Sequence, residues 1–265
     1  MGLLGEFLSR IFGPFEFDDI ELTLPTETFD GELTLRVGAK QVRLVEVGPA
    51  HTRGDTIVVV PADRVVYTAD ILFAGGHPIM WEGPVENWLR ALGLVLTLEV
   101  DTVVPGHGPV TDKRAVAALR DYFTYLDREA RARFDAGMSA MDAALDISLA
   151  DFASWGEAER VVANVRTLYR WYSGGERATA PELLGEMAEW DRRRTLSASP
   201  AALGDAEELP DEARPGGAGG PGRRGGAAGR GRAGAGLAID LRVAERPRRE
   251  RRGSRRRRGH SCRRR

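Results

Sequence analysis

From residue 20 on, hydrophobic periodicity switches near Pro84 from mostly strand-like to mostly helical, and that change limits the fold more than any other feature. Before it, apolar residues alternate or run in short blocks between turn signals. Residues 20–24, 32–37, 42–47, 56–60 and 64–68 read as strands, with Gly38-Ala39-Lys40 as a hairpin connection and Pro61-Ala62-Asp63 as a turn. After it, apolar residues recur at helical spacing. Val85, Trp88, Leu89, Leu92, Val95 and Leu96 form one stripe, opened by Pro84. Val116, Leu119, Phe123, Leu126, Ala130 and Phe134 form a longer one, closed by Gly137. A shorter helix is predicted over 138–149, a fourth around Val161 to Tyr172 closed by Gly174-Gly175, and a fifth around Leu183 to Trp190. Residues 102–104 are a last short strand between the first two helices.

Both ends of the chain differ from this middle. Leu3, Leu4, Phe7, Leu8, Ile11 and Phe12 repeat with helical spacing, interrupted by Glu6 and Arg10. Residues 1–19 therefore read as an amphipathic segment docking on its own domain, without the continuous apolar run of a secretory leader. Glu6 stands where a myristoylation signal wants Ser or Thr. No apolar run approaches the roughly 18 residues of a membrane helix, so a cytoplasmic chain with no transmembrane segment is expected. The lone Cys262 excludes an internal disulfide framework and a cysteine-based zinc cluster. The net charge of −1 averages two unlike parts. Residues 1–210 hold 20 Lys and Arg against 34 Asp and Glu; residues 211–265 hold 18 Arg against five acids. The Gly/Ala/Arg-rich stretch 196–265 has too little apolar surface to offset its chain entropy and is expected to be disordered. Such a tail would bind nucleic acid or an anionic membrane through phosphate contacts at 211–265. The alternative is that GC-rich sequence read out of frame yields the same text, and no aromatic residue is interleaved for base stacking.

Three motifs carry chemistry. Val47-Gly48-Pro49-Ala50-His51-Thr52-Arg53-Gly54-Asp55 joins two strands through small residues that leave an imidazole at a strand end. Val65-Val66-Tyr67-Thr68-Ala69-Asp70 is a strand ending on a carboxylate among apolar neighbours, where a cation or hydrogen-bond donor is needed. Val103-Val104-Pro105-Gly106-His107-Gly108 is a strand ending in a glycine-flanked histidine. Two imidazoles and a carboxylate at consecutive strand ends suit a borderline divalent metal such as zinc. Taken one at a time, each also reads as a hydrogen-bonded loop histidine or a capping aspartate.

In their order and spacing these motifs resemble the metallo-β-lactamase-fold hydrolase superfamily, over about residues 15–195. The resemblance implies a partial αββα sandwich: an α/β metallo-hydrolase half-domain at 20–110, C-terminal helices of the same domain at 111–195, and the tail beyond. It implies that His51 binds one metal, His107 the other, and that Asp70 bridges them as the catalytic carboxylate. Gly54 and Asp55 would shape the first loop. The family's His-x-His-x-Asp-His string, which supplies the remaining ligands and the Asp that orients the attacking water, is absent from these 265 residues. His77, in Gly75-Gly76-His77-Pro78, follows the Asp70 motif and reads as a substrate-pocket or structural residue.

The expected activity is zinc-dependent hydrolysis of an ester, thioester or similar bond in a small-molecule substrate, by a chain that resembles the C-terminal half of such an enzyme and looks N-terminally truncated. A complete family member would hold two zinc ions; here, with two ligands for each, zinc binding should be weak or partial. The alternatives are an inactive half-domain needing a partner chain or a second copy of itself, and a nucleic-acid-binding protein working through its tail.

Overall fold

The computed structural model describes residues 2–18, 20–198 and 242–243. Five main strands make one sheet: β1 (Glu32–Val37), β2 (Lys40–Glu46), β3 (Thr56–Val60), β4 (Val65–Phe73) and β5 (Thr102–His107). β1 to β4 run antiparallel in chain order, and β5 lies parallel to β4 at the edge. The β1–β2 hairpin closes at Val37↔Lys40 through Gly38, whose φ of 60° suits a glycine. Arg242–Val243 forms a two-residue strand, β6, against Leu35 and Arg36 of β1. Of the stretch 196–265 expected to be disordered, residues 196–198 instead end a helix and 242–243 pair with β1; the rest of that stretch and the nucleic-acid role of 211–265 lie outside the described residues.

The helices are α1 (Leu3–Phe12), α2 (Val85–Thr97), α3 (Lys113–Asp135), α4 (Ala140–Asp146), α5 (Arg160–Ser173) and α6 (Ala180–Ala198). The apolar stripes of α2 and α3 cover one face of the sheet, packing on β4. Val59, Val66 and Val103, cross-strand neighbours on that face, are at most 3% exposed. Trp88 of α2 is fully buried and donates its indole N–H to the Ile71 carbonyl at 2.8 Å. The opposite face is apolar as well. Leu33, Leu44, Val58, Tyr67 and Val104 form one cross-strand row there, and none of the five is buried. This is what one layer of a sheet-on-sheet arrangement presents.

α1 docks as its amphipathic pattern predicts. Phe7 is buried, and Arg10 reaches Asp191 of α6 at 2.8 Å. Three expectations need correction. Residues 20–24 form no strand; Ile20, Leu22 and Leu24 are 68–90% exposed, because alternation makes a strand only where a partner strand lies alongside. β4 does not end at Asp70 but runs on to Phe73, with breaks in register against β5 between Tyr67 and Phe73. β5 likewise continues past residue 104, and His107 is its last residue. Among the described residues, no helix is long and apolar enough to cross a membrane.

Candidate metal centre

The irregular stretch of β4 places Asp70. Ala69 takes a φ of 45°, which L residues seldom adopt, inside the register break. Such a bulge re-aims the side chains around it. On the neighbouring strand, a Cβ built on Gly106 would lie 2.3 Å from Asp70 Oδ1 and 2.6 Å from the Ala69 carbonyl carbon. The glycine lets the end of β5 close onto the carboxylate. His107 follows, its ring stacked on Phe73 at 4.2 Å and 6°.

The His51 loop is held from within. Asp55 accepts from the Ala50 and Thr52 amides at 2.9–3.1 Å and from the Thr52 hydroxyl at 2.8 Å. Gly48 permits the tight return, since a Cβ there would meet the Arg53 carbonyl oxygen at 2.6 Å. His51 itself is buried, edge-on to Trp88.

The structure brings the three motif residues together around one carboxylate. His51 Nε2 lies 3.4 Å from Asp70 Oδ2, and His107 Nε2 lies 3.4 Å from Asp70 Oδ1. His51 Nδ1 sits 2.7 Å from the Ile79 carbonyl, so Nδ1 carries the proton and donates it there, leaving the Nε2 lone pair toward Asp70. Burial lowers the His51 pKa, opposed by the Ile79 bond and by the charges of Asp70 and Asp55.

Sequence reasoning missed what holds Ile79. α5 grips residues 77–82 by their backbone. Asn164 accepts from the Met80 amide at 2.7 Å and donates to the Pro78 carbonyl at 2.8 Å. The Thr167 hydroxyl donates to the Met80 carbonyl at 2.7 Å, and Arg160 donates to the His77 carbonyl at 3.0 Å. Gly83 donates to the Ala50 carbonyl at 2.8 Å, joining this loop to the His51 loop. The available signal was a polar residue, Asn164, within the apolar run 161–165.

His77 stands apart from the centre. It is fully buried, packed against Tyr122 and Trp155, with Nδ1 3.2 Å from the Tyr122 hydroxyl. Burial, opposed by the nearby Phe152 carbonyl and reinforced by the Arg160 charge, pushes its pKa down to about 4. These surroundings are those of a core residue.

A sequence model of the metallo-β-lactamase superfamily matches residues 2–107, which include His51, Asp70 and His107. That match supports the metallo-β-lactamase superfamily for this span, which is less than half of the chain. A protein named the alpha subunit of a 2,4-dinitroanisole O-demethylase, from Nocardioides sp. (strain JS1661), is 33% identical over 88 residues. That match takes in 31% of this chain and 26% of the relative, so the chain spans about a quarter of the curated relative it matches. Among solved structures, a stereoselective inverting sec-alkylsulfatase from a Pseudomonas species aligns over 61% of this chain and 29% of its own, at 17% identity and a TM-score of 0.46. A metallo-β-lactamase family protein from Thermus thermophilus aligns over 60% of this chain and 53% of its own, at 20% identity and a TM-score of 0.44.

The superfamily generally binds metal, often zinc, and the donors here are of a kind that suits it: imidazole nitrogen and carboxylate oxygen. Their arrangement divides them. Each oxygen of Asp70 faces a different histidine, so a metal on either side would draw one imidazole and one carboxylate oxygen from these residues. Among the described residues, no group of three His, Cys, Asp or Glu side chains is placed to hold one metal ion. These residues therefore offer two donors on each side of Asp70, short of the three protein ligands of a catalytic zinc.

Proposed function

We propose that this chain supplies one side of a two-zinc hydrolase centre, with Asp70 as the shared ligand, His51 and His107 as the terminal ones, and an ester, thioester or similar bond as the target. The observation that carries the reading is the carboxylate whose two oxygens each face a different Nε2 at 3.4 Å. A bound zinc pair would supply Lewis acidity and lower the pKa of a water. The chain's own residues do the positioning. Ile79 fixes the His51 tautomer, Phe73 fixes the His107 ring, and Gly106 sets the approach of β5 to Asp70. The remaining ligands come from another set of residues, and the apolar sheet face through Leu44, Val58 and Tyr67 is where a second layer carrying them would pack. That face also favours the second reading, a half-domain inactive without a partner chain.

The test provides the missing donors. A superfamily half carrying His-x-His-x-Asp-His is fused to the chain, and zinc-dependent hydrolysis of an activated ester or thioester is followed. Turnover is expected, abolished by Asp70→Ala and reduced less by His77→Ala. A fused protein that binds two zinc ions but keeps its rate in Asp70→Ala would overturn the role given to Asp70.

A further inference from the structure

A cavity of about 660 Å³ opens beside His107, within the range of pockets that hold small organic ligands. It shares two residues with the metal centre: His107, and Ile79, whose carbonyl holds the His51 ring. A molecule filling it would reach His107, whose Nε2 lies 3.4 Å from Asp70 Oδ1. Its wall is mostly apolar, built by Ile11 and Phe12 of α1, by Phe15, by Ile79 and Trp81, and by Leu184 of α6. Phe12 and Phe15 are 44% and 63% exposed, large apolar rings left at the mouth of a cavity.

The charged groups around it decide what kind of molecule enters. Two guanidinium groups line the cavity, and both are engaged. Arg10 pairs with Asp191 at 2.8 Å; Arg160 pairs with Glu157 at 2.6 Å and donates to the His77 carbonyl at 3.0 Å. Glu159 adds a third carboxylate to the lining. An anionic ligand would meet more negative than positive charge and would have to displace an existing ion pair to find a partner. An uncharged apolar group would bury against the rings with no such cost.

We infer that this cavity binds the substrate's body, and that the body is uncharged and bulky, an aromatic or branched alkyl group carried by the ester or thioester. The inference rests on the proposed hydrolase reading for the bond to be cleaved, but the cavity can be tested without metal or turnover. Two fluorescent probes share one ring frame: N-phenyl-1-naphthylamine is uncharged, and 8-anilino-1-naphthalenesulfonate adds a sulfonate. Titrated into the metal-free chain, the uncharged probe should bind at least tenfold more tightly. Leu184→Trp, which fills the cavity, should weaken it at least tenfold. Phe15→Ser, at a position 63% exposed, should weaken it about fivefold. Asp70→Ala should leave its Kd within twofold, so that failure of the metal reading and of the cavity reading show separately. The inference is overturned if both substitutions leave the uncharged probe's Kd unchanged. It is also overturned if the sulfonate binds as tightly and is lost in Phe15→Ser.

Discussion

Gly106 is where a missing side chain matters most to the centre. A methyl group there would overlap Asp70 Oδ1 and the Ala69 backbone, so Gly106→Ala must push β5 away from β4 or turn the carboxylate. Overpacking of this kind costs about 1–3 kcal/mol. Urea denaturation should show a loss in that range, and wild-type stability would refute the close approach. His77 makes a prediction in pH. Its pKa is about 4 in the folded chain against about 6.5 unfolded, so the stability from its neutral, buried ring is full above pH 6.5 and is lost as pH falls toward 4. The shift corresponds to a contribution on the order of 3 kcal/mol. His77→Phe should lose less stability than wild type between pH 6.5 and 4 in denaturation curves; equal losses would mean that the ring is not held neutral. At this scale the sequence was legible where a side chain follows a strand signal, as with His51 and His107. At Asp70 the residue was legible but its strand's end was not, because a bulge inside a strand looks like a strand end; Ile79 was not legible, because its contribution is a carbonyl that every residue possesses.

α5 works as a clamp on the loop that orients His51. The residues it joins are 83 to 87 positions apart in the chain, so no local pattern could pair them, although Asn164 in an apolar run announces a buried partner. Asn164→Leu would strand the buried Met80 amide and Pro78 carbonyl, at about 1–3 kcal/mol for each unsatisfied group. We expect a loss of about 2–4 kcal/mol in chemical denaturation, together with weaker zinc binding through the freed His51 ring. A variant with unchanged stability would show that the loop does not depend on the helix. Most other elements were legible because their periodicity was strong. The segment 20–24 was misread because an alternating pattern specifies which faces a strand would have, not whether another strand lies beside it.

At the scale of the whole molecule, the sheet has one face covered by α2 and α3 and one apolar face that no described element buries. The three motif residues gather at one carboxylate that offers an oxygen to each side. These features agree with a chain that holds one side of a two-metal site. The direct measurement is a zinc titration against a chromophoric chelator, run on the wild type and on three alanine variants. With two protein donors per metal, the chain should show two sites with a Kd on the order of 10 µM, far weaker than four-ligand structural zinc. His51→Ala and His107→Ala should each remove one site, and Asp70→Ala should remove both. Two sites persisting in Asp70→Ala, or one tight site that needs all three residues together, would contradict the shared carboxylate.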